Sequence, residues 1–411
     1  MIHDAAVLDV RQTATQQRDR VAPRTRPVGN GRCVVMIQTQ AEGAGSQEIS
    51  RILGRGLRDR GYEVHSIFLF RRTAVYDREP NTFYCAMQRP AGPIALVRMA
   101  VALVRHLRKL RPDVVLCFQH YGIIVGTVAA YLAGARTIVA NRTTAKSVIP
   151  GWAQVVDLAF GVSGLFRKVV ANSKSVEHEY EDYPQRYRKH VIRIEHGFEP
   201  KTTPLTQAEA RKLLDLPFDA KLLGCVARLH AGKNLGAAIK LLVDRDWHLA
   251  FAGQGPARAE LAALAKSLGA ADRVHFLGEL APDRIGFFLR SLDVFVFPSI
   301  AETFGLAVVE AAQAGIPVVA NDLEVLHETL SVDAGPCALF VNVDDPDAFG
   351  AAVQRLLEDE DLAAAMASRG SQLSDRYSLD AMVDSYAGLI DAVALPRVAS
   401  VGGRADQSRV R

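Results

Sequence analysis

With 411 residues, 49% of them hydrophobic, the chain is too long for one typical domain and apolar enough to fill two cores. A net charge of +4, from 49 basic and 45 acidic side chains, is too small to point to nucleic acid. Apolar tracts such as Ile123 to Ala135 and Val155 to Phe166 are too short for a membrane span or are broken by Asp157, Ser163 and several glycines.

Residues 1–31 scatter arginines among Gln, Thr and Pro without an apolar centre, which argues against a secretory signal and reads as a disordered leader. The cysteines Cys33, Cys85, Cys117, Cys225 and Cys337 lie far apart, with neither a disulfide framework nor metal-ligand spacing. Reduced thiols and a cytoplasmic compartment follow. Short apolar runs at Cys33 to Ile37, Glu63 to Phe68, Asp113 to Phe118, Thr137 to Ala140, Val169 to Asn172 and Val191 to Ile194 alternate with helical patterns. They predict a parallel α/β domain over residues 32–199. After the first run, Gln40-Ala41-Glu42-Gly43-Ala44-Gly45-Ser46 places Gly43 and Gly45 at a helix start, where bare backbone can approach a phosphate or sugar. The loop lacks the third glycine and downstream acid of a dinucleotide fingerprint, which counts against a dehydrogenase. Arg98, Arg105, Arg108, Lys109 and Arg111 share a predicted helix with Leu96, Val97, Val101, Leu103 and Leu107 as its apolar side. Its basic side is either a solvated face or a surface for anionic headgroups or a phosphate-bearing acceptor. His120 follows the strand Asp113 to Phe118, and Arg142 follows Thr137 to Ala140; Arg142 is a candidate for an acceptor phosphate or for positioning, and His120 is either structural or functional.

The pattern breaks in His196-Gly197-Phe198-Glu199-Pro200-Lys201-Thr202-Thr203-Pro204, which marks a domain boundary. A second set of strands, Leu222 to Ala227, His248 to Ala252, Val274 to Leu277, Val294 to Phe297, Val318 to Ala320 and Ala338 to Val341, predicts a second parallel domain over residues 200–377. A nucleotide belongs in the crevice between the two, beyond the carboxyl ends of the strands. Arg228 and Lys233 follow the first strand of this set, where cations can reach a diphosphate. The strand Asp293 to Phe297 leads through Pro298-Ser299-Ile300-Ala301-Glu302-Thr303-Phe304-Gly305-Leu306 into a helix whose unpaired amides can receive an anion. Glu302 precedes that helix and Glu310 is read about two turns inside it. As acceptor-only groups, these carboxylates suit the vicinal hydroxyls of a sugar and a ribose. The Asp-x-Asp triplets Asp244/Asp246, Asp345/Asp347 and Asp359/Asp361 lack further ligands, so no metal site is expected. Residues 378–395 form a last helix and 396–411 a disordered tail.

Glu302 and Glu310, with seven residues between them, resemble the E-x7-E motif of retaining, family 4-type glycosyltransferases. The surroundings carry the likeness further: Gly224-Cys225-Val226-Ala227-Arg228-Leu229-His230 with Lys233-Asn234-Leu235, then Leu249-Ala250-Phe251-Ala252-Gly253-Gln254-Gly255-Pro256, then Val274-His275-Phe276-Leu277-Gly278, stand in the family's order. The resemblance is close from Lys221 to Phe340 and loose in the N-terminal half. It implies an α/β fold of two Rossmann-like domains facing across a cleft, the GT-B architecture, with the last helix crossing back to the first domain. It further implies a UDP- or GDP-linked sugar as donor, no separate cofactor, and a hexose passed to a glycan or lipid-linked acceptor in cell-surface polysaccharide, lipopolysaccharide or glycoconjugate synthesis.

By the same resemblance Glu302, Arg228, Lys233 and His120 are catalytic, and Gly43, Gly45, Gly255, Phe304, Gly305, Leu306 and Glu310 hold the donor. Arg142 lies on the acceptor side. The family's histidine stands a little earlier, where this chain has Phe118. No pair of carboxylates is placed for a double displacement, which needs them about 5 Å apart. By resemblance the reaction proceeds on the face of the departing group, with the leaving phosphate taking the acceptor's proton. A nucleotide-sugar epimerase of this fold, a phosphorylase and a non-catalytic sugar-nucleotide-binding protein are the alternatives. The expected location is cytoplasmic or the inner face of the cytoplasmic membrane, with peripheral contact to anionic lipid.

Overall fold

Strands rich in Val, Ile and Leu and buried on both faces need helices on each side, and this chain supplies one or more between most successive strands. A computed structural model describes residues 31–43 and 45–394. Apart from Gly31, the expected leader over 1–31 and tail over 396–411 lie outside the described residues.

The first sheet contains β1 (Cys33–Ala41), β2 (Glu63–Arg71), β3 (Thr82–Tyr84), β4 (Val114–Phe118), β5 (Ile138–Arg142), β6 (Lys168–Ala171) and β7 (Val191–Arg193). All its neighbours are parallel, in the order β3-β2-β1-β4-β5-β6-β7. Its helices are α1 (Gly45–Asp59), α2 (Pro93–Leu110), α3 (His120–Ala133), α4 (Gly151–Ser163), α5 (Lys174–His178) and α6 (Gln185–Arg188). The second sheet contains β8 (Leu222–Val226), β9 (His248–Ala252), β10 (Val274–Gly278), β11 (Val294–Phe297), β12 (Val318–Asn321) and, beyond the hairpin β13 (Ser331–Val332) and β14 (Gly335–Pro336), β15 (Leu339–Val341). It too is parallel, in the order β10-β9-β8-β11-β12-β15. Its helices are α7 (Gln207–Leu213), α8 (Leu235–Lys240), α9 (Arg258–Ser267), α10 (Ile285–Ser291), α11 (Leu306–Gln313), α12 (Glu324–Thr329), α13 (Pro346–Glu358) and α14 (Glu360–Arg376).

Both predicted sets of strands form, and the structure adds β3 and the hairpin. β3 follows Arg78-Glu79-Pro80-Asn81 and has no apolar period; it is held at the sheet edge by pairing with Ser66, Ile67 and Phe68. On α2, Met99, Leu103 and Leu107 are buried, whereas Leu96, Val97 and Val101, expected to pack with them, are exposed. The reason is angular: only the stripe at every fourth residue reaches the sheet, and Val97 and Val101 project from the other side.

No helix or strand lies between Arg193 and Gln207. The last helix, α15 (Leu379–Val393), packs on α1 of the first domain. Gly56 of α1 sits directly beneath Val383, and Gly197 beneath the Ser378 carbonyl, so a Cβ at either position would collide. Buried Arg60 holds Asp380 at 3.0 Å and Asp384 at 2.7 Å, and Tyr386 donates its hydroxyl to Asn141 Oδ1 at 2.8 Å. The two domains also meet where Glu328 of α12 caps α5, accepting from Lys174 N at 2.6 Å and Ser175 N at 2.8 Å.

Tyr386→Phe should lower stability by about 1–2 kcal/mol, because a buried acceptor on Asn141 loses its donor. Urea denaturation followed by circular dichroism measures this. A loss indistinguishable from zero would mean that the hydroxyl contributes nothing to seating α15.

Candidate active site

In each sheet the strand order reverses once, between β1 and β4 and between β8 and β11, and the loops leaving these strands diverge around a crevice. The Glu42–Gly43 loop and the start of α3 at His120 belong to the first crevice. Arg228, Lys233 and the Ser299–Gly305 loop belong to the second. The loops of the two crevices touch. Arg228 Nη1 donates to Glu42 Oε1 at 3.0 Å, and Gly43 lies against the Glu279 carboxylate, which a Cβ there would push aside. A Cβ on Gly45 would stand 3.5 Å from Leu306.

The loop from β11 is shaped by one left-handed residue and one buried ring. Gly305 caps α11 with φ 79°, and a side chain there would strike Leu326 as well as strain the backbone. Phe304 is 3% exposed and packs against His196, Phe198 and Tyr377, with centroids at 5.1, 6.3 and 4.9 Å. Its ring is therefore core, and what it offers a ligand is backbone. Next to it, Asn172 of the first domain donates to Thr303 Oγ1 at 3.1 Å and contacts His196 Nε2 at 3.0 Å; burial lowers the pKa of His196 to about 4. Gly255 serves close packing, because a Cβ would collide with the Leu229 carbonyl. This lets the loop after β9 lie on the loop after β8, where Leu229 N donates to Gln254 O at 3.1 Å.

Each expected cation holds a carboxylate. Lys233 Nζ pairs with Glu302 Oε1 at 2.5 Å, so two residues assigned separately to the diphosphate and the sugar are direct partners. Arg228 shares Glu42 with Arg72, whose Nη1 stands 2.9 Å from Glu42 Oε2. Sequence reasoning missed Glu42: it lies inside the glycine loop, which was read for its glycines alone. Glu310 is the fifth residue of α11, one turn inside it and not two. It is 8% exposed, and burial pushes its carboxyl up to about 7, with Lys201 opposing the shift and Glu48 of the first domain adding to it.

On the first domain, the Gln119 side chain accepts from Thr39 N at 3.2 Å, and Thr39 Oγ1 accepts from Gly122 N at 3.1 Å, which ties β1 to the start of α3. His120 is half-buried with its ring 4.2 Å from Tyr121, and burial lowers its pKa, favouring neutral imidazole. Arg142 is different from the expected acceptor ligand. It is 3% exposed, paired with Asp157, donates to Tyr187 at 2.8 Å and lies over the rings of Phe166 and Tyr180. Its guanidinium is thus committed to the interior, because a buried arginine needs a carboxylate and aromatic faces. Two of the three Asp-x-Asp triplets are helix caps: Asp345 accepts from Asp347 N and Ala348 N, and Asp359 from Leu362 N. Among the described residues one cluster, Cys33, Glu63 and His65, brings three ligand types together, and it lies at the amino ends of β1 and β2, away from the crevices.

A model of the family described as Glycosyltransferase Family 4 matches residues 45–201, and one described as Glycosyl transferases group 1 matches residues 206–373. The chain belongs to the family 4-type glycosyltransferases. The first of these matches extends the likeness through the N-terminal half, where sequence resemblance was loose. Similar curated glycosyltransferases include the D-inositol 3-phosphate glycosyltransferase of Corynebacterium urealyticum, 33% identical over 49% of this chain and 51% of that protein. Another is the lipopolysaccharide core biosynthesis mannosyltransferase LpsB of Rhizobium meliloti, 32% identical over 49% of this chain and 60% of that protein. The alignments thus span about half to three-fifths of the relatives' length. Among solved structures, HepE of Anabaena, in complex with UDP and glucose, superposes with a TM-score of 0.76 at 18% identity, covering 88% of this chain and all of that one. WaaG, a glycosyltransferase involved in lipopolysaccharide biosynthesis, superposes at 0.70 with 16% identity over 87% of this chain and 99% of that one. These likenesses establish the GT-B fold.

The raised carboxyl of Glu310 gives a pH signature. A native pKa near 7 against an ordinary 4.5 means that the folded protein holds the proton more tightly. The associated stability is complete below the ordinary value and is lost as pH rises through the folded value. Glu310→Gln should therefore stabilise the free protein by roughly 3 kcal/mol above neutrality, with no comparable gain in acid. Melting curves of both proteins across pH test this, and a difference that does not change with pH refutes it.

Proposed function

We propose that this glycosyltransferase moves a hexose, with retention, from a UDP- or GDP-linked donor to a glycan or lipid-linked acceptor without a metal ion. The meeting of the two switch-point crevices carries the reading. One crevice presents Arg228, Lys233 and the amino end of α11 to a diphosphate, and the other presents His120 and the bare Gly43 backbone. The bound UDP named for HepE supports the donor class, and the inositol phosphate and lipopolysaccharide core named for the curated relatives support a polar, glycan-type acceptor. Placement of the reaction in the cytoplasm or at the membrane's inner face belongs to the same proposal.

Binding exchanges one set of ion pairs for another. A diphosphate entering between Arg228 and Lys233 takes over from Glu42 and Glu302, so the cations are never left bare. As the bond to the sugar breaks, charge grows on the diphosphate, and pre-placed cations and helix amides stabilise it without reorganising. Glu302, released from Lys233, is then free to face the oxocarbenium-like sugar, while Glu310 accepts from the ribose hydroxyls. The departing phosphate removes the acceptor's proton on the same face. Incubation with a panel of nucleotide sugars, with and without membrane extract, tests the reaction through nucleotide release, and NMR of the product anomer tests retention.

Arg228→Ala and Lys233→Ala should each lower turnover by about 10²–10³, with a smaller change in affinity for the free nucleotide, since their task is charge that appears in the transition state. Wild-type turnover in both variants would move the leaving-group site elsewhere. Activity should also survive EDTA; complete loss, restored by magnesium or manganese, would refute metal independence.

A further inference from the structure

We propose that the outward faces of α2, α3 and α4 together form a docking surface for an anionic lipid bilayer. α3 carries no Asp, Glu, Lys or Arg, and its inward side, Ile123, Gly126 and Ala130, is buried on the sheet. On the other side Tyr121, Val128, Tyr131 and Leu132 recur at helical spacing and are 41, 45, 51 and 57% exposed. A helix that is apolar all round is ordinarily covered all round. α2 repeats the arrangement, with Ile94, Val97 and Val101 exposed opposite its packed stripe, and α4 adds Trp152 at 55% and Val155 at 67%. The three faces are continuous: Arg108 of α2 donates to the Leu132 carbonyl at 3.2 Å, and the rings of Tyr121 and Trp152 stand 6.3 Å apart.

Charge decides the occupant. Residues 86–163, to the end of α4, contain nine Lys and Arg and two acids, Asp113 and Asp157, in a chain with 49 basic and 45 acidic side chains. Arg142 and Asp157 are buried and paired with each other, which leaves eight cations against Asp113. Arg105 prolongs the exposed stripe of α2, and Arg136 lies over the Tyr131 ring at 5.1 Å. Exposed aliphatic side chains ringed by cations, with Trp and Tyr among them, match the boundary between acyl chains and anionic headgroups. A second copy of this chain, docking through the same face, would set these cations against each other. A nucleic acid would meet the cations and leave the Val and Leu side chains without partners. Because α3 starts at His120, this face runs to the edge of the first crevice. It thereby specifies a bilayer-resident acceptor for the reaction above; in that respect alone it rests on the proposed function, and docking itself requires no turnover.

The full chain is tested with vesicles of phosphatidylglycerol and phosphatidylethanolamine, and with phosphatidylcholine alone. The only tryptophans are exposed Trp152 and Trp247, which is 7% exposed in the second domain, so quenching by bromine-labelled lipid reads this face. Expected are cosedimentation with the anionic vesicles and quenching that disappears in Trp152→Phe while sedimentation persists. Val128→Ser combined with Leu132→Ser should reduce sedimentation at least tenfold, and Arg105→Gln with Lys109→Gln by about tenfold or more at low salt but not at high salt. Unchanged melting curves exclude misfolding, since these side chains lie at the surface. Absence of pelleting with anionic vesicles overturns the proposal, as does a dimer that Val128→Ser with Leu132→Ser dissolves. Nucleotide release measured without vesicles reports separately on the transferase reading.

Discussion

The seating of α15 on α1 sets the distance between the two crevices, and each contact across the site depends on it. The chain between Arg193 and Gln207 has no regular structure, and domains joined by such a connection ordinarily move relative to one another. α15 adds an apolar bond that a linker lacks: Val383, Tyr386 and Ile390 share one buried cluster with Leu53 and Leu57 of α1 and with Phe304 of the binding loop. Gly56 and Gly197 are small because the helix passes over them. The same cluster that joins the domains thus also holds the loop carrying Glu302 and Gly305.

Nearer the opening, the contacts are ionic. Arg228 with Glu42 and Lys233 with Glu302 are partly exposed pairs that contribute little to stability. Such a pair can exchange its carboxylate for another anion without exposing a bare charge. Glu310 is the exception. Burial holds it near neutrality in its proton affinity, so it is a carboxylate that the fold tolerates at a cost to its own stability.

The two domains differ in what they show to solvent. The second keeps its large apolar side chains almost wholly inside, with Phe218 and Ile300 among the exceptions, whereas the first exposes a series from Met87 to Val155. Most of the exposed series lies on α2, α3 and α4, and its neighbours are basic. The continuous apolar and basic surface thus belongs to the first domain.

The strands of both sheets and the helix that starts after the Gly305 loop were legible in the sequence, because hydrophobic period and helix-start signals are local properties. Locality also explains what was not legible. The sequence expectation places Val97 and Leu103 on one apolar side, yet at helical spacing they point apart, and which of them meets the sheet is not a local property. A motif places Arg142 at a strand end, but the partners that turn it inward, Asp157, Tyr180 and Tyr187, come from other elements. Glu42 looks like loop filling until Arg228, 186 positions away, is brought within 3.0 Å. The sequence by itself determined the elements and the charges they carry; the tertiary structure decided which charge meets which, since pairing needs proximity that only the closed fold supplies.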